Sequence, residues 1–196
     1  MARRPIVLFD VLDTLVYDPF YVEVPAFFGM SFEELLEAKH PTAWAEFETG
    51  SIDEETFLAR FFRDGREYDQ AGMMRCMATA YRWLDGMEEL AAELAGAGSE
   101  IHALSNYSPW YRWIEERLGL SRFLSWSFVS CDTGVRKPDE RAFAGPVGAL
   151  GVDPSACLFI DDREVNCAAA RACGLDAVRF QGVEGLRGEL ERRSVV

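Results

Sequence analysis

The chain has few histidines, few lysines, no closely paired cysteines and no long apolar run. His40 and His102 stand alone, and none of the five cysteines forms a CxxC pair. Zinc is normally held by clusters of histidine and cysteine, so this composition does not favour a zinc site. Several cysteines lie inside apolar stretches, which indicates reduced, structural thiols in a cytosol-like compartment.

No segment has the pattern of a membrane span or a secretion signal. The apolar run from Ile6 to Phe9 ends at Asp10 and is far too short for a signal-peptide core. No other run approaches the roughly 20 apolar residues that cross a bilayer. We therefore expect a cytoplasmic protein that does not insert into membranes.

Basic residues are outnumbered by acidic ones. The chain has 20 Lys and Arg against 33 Asp and Glu, and its net charge is -13. Nucleic acids and anionic membranes would be repelled over most of such a surface, so we expect neither as a partner. Lys39 and Lys137 are the two lysines in a chain that otherwise uses arginine. The composition leaves open whether the protein is a monomer or a homodimer.

Short apolar runs that end in polar residues alternate with helix-length segments. This alternation predicts an α/β fold with a doubly wound parallel sheet. The predicted strands are 6–10, 101–106, 128–131, 157–162 and 176–180, and the predicted helices between them are 87–94, 109–118, 138–150 and 163–173. In such sheets, functional side chains gather beyond the carboxyl ends of the strands.

The alternation stops between residues 18 and 84, where the pattern predicts helices and no strand. We predict helices at 31–39, 53–62 and 71–84, the first with Ser31 as N-cap and Glu34 completing a capping box. The segment is interpreted as a helical insert after the first strand. The domains are then a core of residues 1–17 and 85–196 and an insert of residues 18–84.

The insert is rich in aromatic residues. Two interpretations are open: the rings fill a small core of the insert, or they form a flat apolar wall of a binding cleft. The residues concerned are Phe20, Tyr21, Phe27, Phe28, Phe32, Trp44, Phe47, Phe57, Phe61 and Phe62.

Polar residues follow the predicted strands at one edge of the sheet. They are Asp10, the pair Ser105 and Asn106, and the pair Asp161 and Asp162, with Lys137 in a loop of the sequence GVRKPD. Carboxylates that meet at one place repel each other unless a cation lies among them. Carboxylate oxygens, a backbone carbonyl and phosphate oxygens are ligands that Mg²⁺ prefers, so we expect Mg²⁺ as the cofactor.

Four motifs together resemble the haloacid dehalogenase-like hydrolases. FDVLDTLV at 9–16 is similar to the first motif of that family, ALSN at 103–106 to the second, the lysine of RKPD at 136–139 to the third, and FIDDREVN at 159–166 to the fourth. They occur in the family's order over nearly the whole chain. The resemblance implies a Rossmann-like core with a small helical cap inserted after the first strand.

The resemblance also implies a role for each motif residue. Asp10 would attack phosphorus and form an aspartyl-phosphate. Ser105 and Asn106 would bind the phosphoryl group, and Lys137 would offset charge on it and on Asp10. The implied magnesium ligands are Asp10, the backbone carbonyl of Leu12, Asp162 and also Asp161. The expected partner is a small phosphomonoester.

The segments 18–30, 40–48 and 123–131 are similar to plant members of the family that act on flavin mononucleotide (FMN). This narrower similarity implies FMN as a possible substrate. FMN carries a flat aromatic ring, against which the aromatic side chains of the cap could stack.

The chain departs from the family pattern two residues after Asp10. Phosphatases of the family usually have an aspartate there as general acid, but this chain has Leu12, and Asp13 is the nearest possible replacement. A 2-haloacid dehalogenase is therefore an alternative, because a halide leaves without a proton. A catalytically weakened binding or regulatory protein is the other alternative. The acidic pair Asp161 and Asp162 favours the phosphatase.

Overall fold

Five parallel strands form a sheet at the centre of the protein. The computed structural model describes residues 4–195, and within them the strands are β1 (Ile6–Phe9), β2 (Ile101–Ser105), β3 (Ser125–Val129), β4 (Cys157–Asp161) and β5 (Asp176–Arg179). Their order across the sheet is β3-β2-β1-β4-β5. The first strand is therefore central and the chain winds outward in both directions. The predicted doubly wound α/β fold is confirmed.

The central strands are buried on both faces. Every residue of β1 and β4 is buried, and the two strands pair in parallel with Phe9 opposite Ile160. Successive side chains point to opposite faces, so Val7 and Phe9 belong to one apolar core and Leu8 to the other. This burial explains why both strands are nearly continuous apolar runs in the sequence.

Helices fill the connections between the strands. The connection from β1 to β2 contains α1 (Glu23–Phe28), α2 (Phe32–Ala38), α3 (Ala43–Glu48), α4 (Glu54–Ala59), α5 (Gln70–Ala80) and α6 (Met87–Gly96). The later helices are α7 (Tyr111–Leu118), α8 (Ser130–Thr133), α9 (Arg141–Leu150), α10 (Glu164–Ala172) and α11 (Val183–Arg192). The capping box predicted for α2 is present, with Ser31 and Glu34 as its two members.

Some element boundaries differ from the prediction. β3 begins at Ser125 rather than at residue 128, because an edge strand with one exposed face includes polar residues that the apolar run does not. α5 ends at Ala80 rather than at residue 84. The following residues pair with the segment after β1, where Tyr17 donates to the Arg82 carbonyl and Leu84 to the Leu15 carbonyl, both at 2.9 Å.

Most aromatic residues of the insert pack against one another and against residues of the core. Phe47 and Phe57 are buried and stacked with ring centroids 4.6 Å apart, and both contact Trp110 edge-on. Tyr21 and Trp44 also contact neighbouring rings, but in addition they border the cleft that contains Asp10. The core-filling interpretation thus describes most of the set, and these two residues supply the cleft wall.

Within residues 4–195, the structure contains no helix that is both long enough and apolar enough to cross a membrane.

Candidate active site

Asp10 lies at the carboxyl end of the central strand β1. Its backbone N–H donates to the Ile160 carbonyl at 2.8 Å, which continues the sheet pairing and fixes the position of the residue. Its carboxylate Oδ1 accepts the Val11 N–H at 2.8 Å. Asp10 is 8% exposed, yet it borders a cleft of about 160 Å³. A hydrogen-bonded, nearly buried carboxylate thus lines a small cavity.

Lys137 joins two of the carboxylates. Its Nζ lies 2.9 Å from Asp10 Oδ1 and 2.7 Å from Asp161 Oδ2, and it donates to the Leu104 carbonyl at 2.7 Å. Lys137 is 2% exposed, so this ammonium is paired almost entirely with protein groups. Burial lowers its pKa, but the charges of Asp10 and Asp161 outweigh burial and the net pKa is raised. Lys137 is therefore held in the charged form.

Asn106 fixes the backbone of Lys137. Its side-chain Nδ2 donates to the Lys137 carbonyl at 2.8 Å, and its Oδ1 accepts the Lys137 N–H at 2.7 Å. This two-way amide contact joins the end of β2 to the lysine loop. Asn106 also borders the cleft, and its predicted contact with a phosphoryl group stays a prediction.

Asp161 and Asp162 are adjacent but have different surroundings. Asp161 is fully buried, and its oxygens accept from Lys137 Nζ, from the Arg163 N–H at 2.8 Å and from Asn166 Nδ2 at 3.0 Å. Asp162 is half-buried and borders the cleft. Burial first, and then the charges of Asp161 and Asp13, raise the pKa of Asp162 to about 6. Asp162 is therefore the more accessible ligand of the pair.

The three carboxylates form a cluster that suits a divalent cation. One ligand oxygen from each of Asp10, Asp161 and Asp162 lies within 4.8 Å of the others. Burial, together with the charges of Asp161 and Asp162, raises the pKa of Asp10 to about 7 although Lys137 opposes the shift. One ammonium does not balance three carboxylates. The all-oxygen set and the surplus negative charge fit Mg²⁺.

Ser105 lies beside the cleft rather than in its wall. It ends β2, is buried, and borders a second, mostly apolar cavity of about 370 Å³ between β3 and α9. Asn106 and Lys137 border both cavities. The structure thus places Ser105 beside Asn106 in the wall of the second cavity, whereas Asp10 lines the cleft, and the phosphoryl-binding role of Ser105 stays a prediction.

Leu12 and Asp13 are half-buried residues of the cleft wall. Asp13 has a left-handed backbone with φ 55°, which is uncommon for a residue other than glycine. Its N–H donates to the Val16 carbonyl at 2.7 Å, and its Oδ1 accepts the Asp18 N–H at 3.4 Å. The backbone turn that the sequence left undetermined therefore directs the Asp13 carboxylate toward the start of the insert.

The structure adds cleft residues that sequence reasoning missed. Glu48 on α3 is buried, and its Oε1 lies 2.6 Å from Arg136 Nε, so an ion pair joins the insert to the lysine loop. Asp18, Tyr107, Arg163 and Asn166 also border the cleft. Arg163 and Asn166 could have been found from their place in the fourth motif, and Tyr107 directly follows the second. Asp18 and Glu48 carry no such signal, because they lie in the insert outside the four motifs.

Comparison with protein families identifies the chain. The family model of the haloacid dehalogenase-like hydrolases matches residues 5–174. Flavin mononucleotide hydrolase 1 of Arabidopsis thaliana, a chloroplastic protein by its name, is 51% identical over 188 residues, which cover 96% of this chain and 77% of that protein. Ribulose-1,5-bisphosphate 5-phosphatase of Halopiger xanaduensis is 31% identical over 99 residues, or 50% of this chain and 41% of that protein.

Solved structures share the fold. A haloacid dehalogenase-family enzyme from Bacteroides thetaiotaomicron, in complex with magnesium, aligns with a TM-score of 0.76 at 18% identity and covers 94% of this chain and 98% of its own. L-2-haloacid dehalogenase from Xanthobacter autotrophicus aligns with a TM-score of 0.66 at 18% identity and covers 99% and 85%. The four predicted motifs, the matched family model and the 51% identical relative agree: the chain belongs to the haloacid dehalogenase-like hydrolases.

Proposed function

We propose that the protein is a magnesium-dependent phosphomonoesterase in which Asp10 is the covalent nucleophile. The observation that carries this proposal is the position of Lys137 Nζ, 2.9 Å from Asp10 Oδ1 and 2.7 Å from Asp161 Oδ2, beside the accessible carboxylate of Asp162. Burial and the neighbouring carboxylates raise the pKa of Asp10, and Lys137 opposes that rise by favouring the ionised nucleophile. The same carboxylates form an acidic cluster that can hold a cation. This arrangement supports phosphoryl transfer better than the alternatives below.

In the proposed chemistry, Asp10 reacts with the substrate, and Lys137 and the cation offset negative charge. An oxygen of Asp10 attacks phosphorus, and the P–O bond to the leaving group breaks as the aspartyl-phosphate forms. Lys137 offsets negative charge on Asp10 and on the transferring group. Asp10, Asp162 and the Leu12 carbonyl would hold Mg²⁺, which when bound neutralises charge on the phosphoryl oxygens.

Asp161, Asn166 and Asn106 support the site without touching the reacting atoms in this proposal. Asp161 holds the lysine ammonium, Asn166 donates to both oxygens of Asp161, and Asn106 fixes the lysine backbone. A nucleophile must be held within a fraction of an ångström of its attack geometry. These contacts restrict both Asp10 and Lys137 to one arrangement.

We further propose FMN as the substrate and residues 18–84 as a cap over it. The 51% identity to an FMN hydrolase supports this choice. Trp44 and Tyr21 of the insert offer aromatic faces at the cleft, and Arg136 and Arg163 offer positive charge. The cleft of about 160 Å³ is smaller than the roughly 300–1,000 Å³ of typical ligand pockets, so the cap would have to open for FMN to enter.

A haloacid dehalogenase is the second candidate. Leu12 favours it, because the usual acid of a phosphatase is missing at that position. The cluster of Asp10, Asp161 and Asp162 disfavours it, because uncompensated carboxylates would repel an anionic haloacid. The structural likeness to a dehalogenase at 18% identity shows the shared fold alone.

The deciding experiment measures phosphate release from FMN and a panel of sugar phosphates, with Mg²⁺ and then with EDTA. Asp10→Asn is the blank, because it keeps the side-chain shape but removes the nucleophile. We expect release that needs Mg²⁺ and disappears in the variant. Activity retained in Asp10→Asn would rule out the covalent mechanism. Chloride release from 2-chloropropionate without phosphate release would instead identify a dehalogenase, and no release from any compound would favour a binding protein.

A further inference from the structure

The cleft contains a carboxyl group that the proposed mechanism leaves without a role. Asp18 lies where the chain leaves the core for the insert, just before the 3-10 turn Pro19–Tyr21. Its Oδ1 accepts the Phe20 N–H at 2.9 Å, which caps that turn. Asp18 lines the same cavity as Asp10. The first residue of the insert therefore borders the cleft that contains the nucleophile.

The surroundings of Asp18 raise its pKa into the neutral range. Burial first, and then the charges of Asp13, Glu23 and Asp162, raise its pKa to about 7. Charged and titratable groups thus face it from the β1 loop, α1 and the end of β4. A general acid works best when its pKa is close to the working pH.

Two buried tyrosines and one exposed tyrosine complete the environment. The hydroxyl groups of Tyr81 and Tyr107 are hydrogen-bonded to each other, and burial first, then in smaller part the Asp18 charge, raises the pKa of both. Burial and then the Asp18 charge also raise the pKa of Tyr21, which Arg163 opposes. The tyrosines therefore stay neutral and do not compensate a charge on Asp18.

Asp13 is the other candidate, because it directly follows Leu12, the position at which phosphatases of the family usually have an acid. It is half-buried, and its Oδ1 accepts the Asp18 N–H. Asp13 thus orients the backbone of Asp18. Asp18 itself has its Oδ1 engaged in the turn cap and is a residue of the cleft wall. We propose that Asp18 is the general acid and base of this enzyme and replaces the acid that is absent at Leu12.

This proposal rests on the proposed phosphatase function and accounts for the proton that the leaving group gains and the proton that the attacking water loses. As Asp10 bonds to phosphorus, the bond from phosphorus to the leaving oxygen breaks, and the Asp18 proton goes to that oxygen to give the alcohol. Asp18 is then a carboxylate. It takes a proton from the water whose oxygen attacks phosphorus, the bond from Asp10 to phosphorus breaks, phosphate leaves, and Asp18 is an acid again.

The test compares Asp18→Asn with Asp13→Asn on an alkyl phosphate and on p-nitrophenyl phosphate. Asparagine keeps the oxygen that caps the turn, and Asp18→Ser, which also caps but is no acid, serves as the second variant. We expect Asp18→Asn to lower kcat/KM for the alkyl ester by about 10²- to 10⁴-fold. For the aryl ester, whose leaving anion needs no proton, we expect less than about a tenfold loss.

Two further readouts separate a proton-transfer role from a structural one. In the wild type, the ratio of alkyl to aryl kcat/KM should fall as pH rises through neutrality, and in Asp18→Asn this ratio should be independent of pH. With p-nitrophenyl phosphate, Asp18→Asn should also show a burst of nitrophenolate, because the carboxylate that activates water is gone.

Three results would overturn the proposal. An equal loss on both esters in Asp18→Asn and Asp18→Ser would mean a structural role, and a selective loss in Asp13→Asn alone would assign the acid to Asp13. Wild-type protein that releases phosphate from neither ester would refute the phosphatase function itself. The first two results leave the phosphatase function standing, so the two failures are distinguishable.

Discussion

Replacing Lys137 with methionine tests whether this ammonium holds the buried carboxylates together. Methionine has a similar length and volume, so the packing contribution to the change is small. The charge change is large, because Asp161 is fully buried and Asp10 is 8% exposed. Removing one partner of a buried ion pair typically costs about 3–5 kcal/mol, since the remaining charge is left uncompensated. We expect a loss of that size in the free energy of unfolding.

The measurement is urea unfolding at neutral pH in EDTA, with the free energy obtained by linear extrapolation. EDTA is needed because a bound cation would offset the same carboxylates. For a protein of 150–250 residues, 1 kcal/mol shifts the melting temperature by about 2–4 °C. Lys137→Met should therefore melt roughly 6–20 °C below the wild type.

Two controls make the result specific. Lys39→Met removes the other lysine, which lies over the ring of Phe20 at 5.6 Å, and should change the free energy of unfolding by at most about 1 kcal/mol. The double variant Lys137→Met with Asp161→Asn should regain most of the stability but no activity, because the uncompensated charge is gone and so is the ammonium. A loss below about 1 kcal/mol in Lys137→Met would refute the reasoning.

Three other predictions concern the proposed metal site, the insert, and the contact between the insert and the core. Asp162→Asn should raise the Mg²⁺ concentration for half-maximal activity by more than about tenfold, with partial recovery at high Mg²⁺, and unchanged Mg²⁺ dependence would exclude Asp162 as a ligand. Trp44→Phe should remove the fluorescence change on substrate binding, whereas Trp126→Phe, away from the cleft, should keep it. Ser130→Ala should destabilise the protein by about 1–3 kcal/mol in urea unfolding, because its hydroxyl donates to the buried Glu48 carbonyl and accepts a backbone N–H; no change would mean that water replaces it.

The main site residues could be located from sequence because parallel strands end at a common edge. Asp10, Asn106 and Asp161 each follow an apolar run, and the structure brings them within reach of Lys137. The same principle did not separate their roles. The predicted contact of Asn106 with a phosphoryl group stays a prediction, and the structure adds a two-way contact of its amide with the Lys137 backbone that the sequence did not indicate. Strand ends fix a residue's location, whereas its partners depend on side-chain direction.

The polar contacts of the insert could not be predicted, although Tyr21 and Trp44 were among its candidate cleft residues. The pairing of Glu48 with Arg136 joins segments 88 residues apart, and the hydroxyl of Ser130 reaches the Glu48 carbonyl across 82. No local sequence pattern indicates either contact. The role proposed for Asp18 has no local pattern either, because an aspartate before proline is typical of a turn. Only its position over the cleft suggests proton transfer.

The sequence by itself determined the fold class, the order of the motifs and the preference for an oxygen-ligated cation, because these follow from apolar periodicity and from which residue types end the strands. The tertiary structure decided which carboxylates are paired with Lys137, which one is more open to the cleft, and which acid of the insert lines the same cavity as Asp10. Those choices depend on burial and on distances between segments far apart in the chain. No periodic pattern encodes them, since each arises only when the insert packs against the sheet.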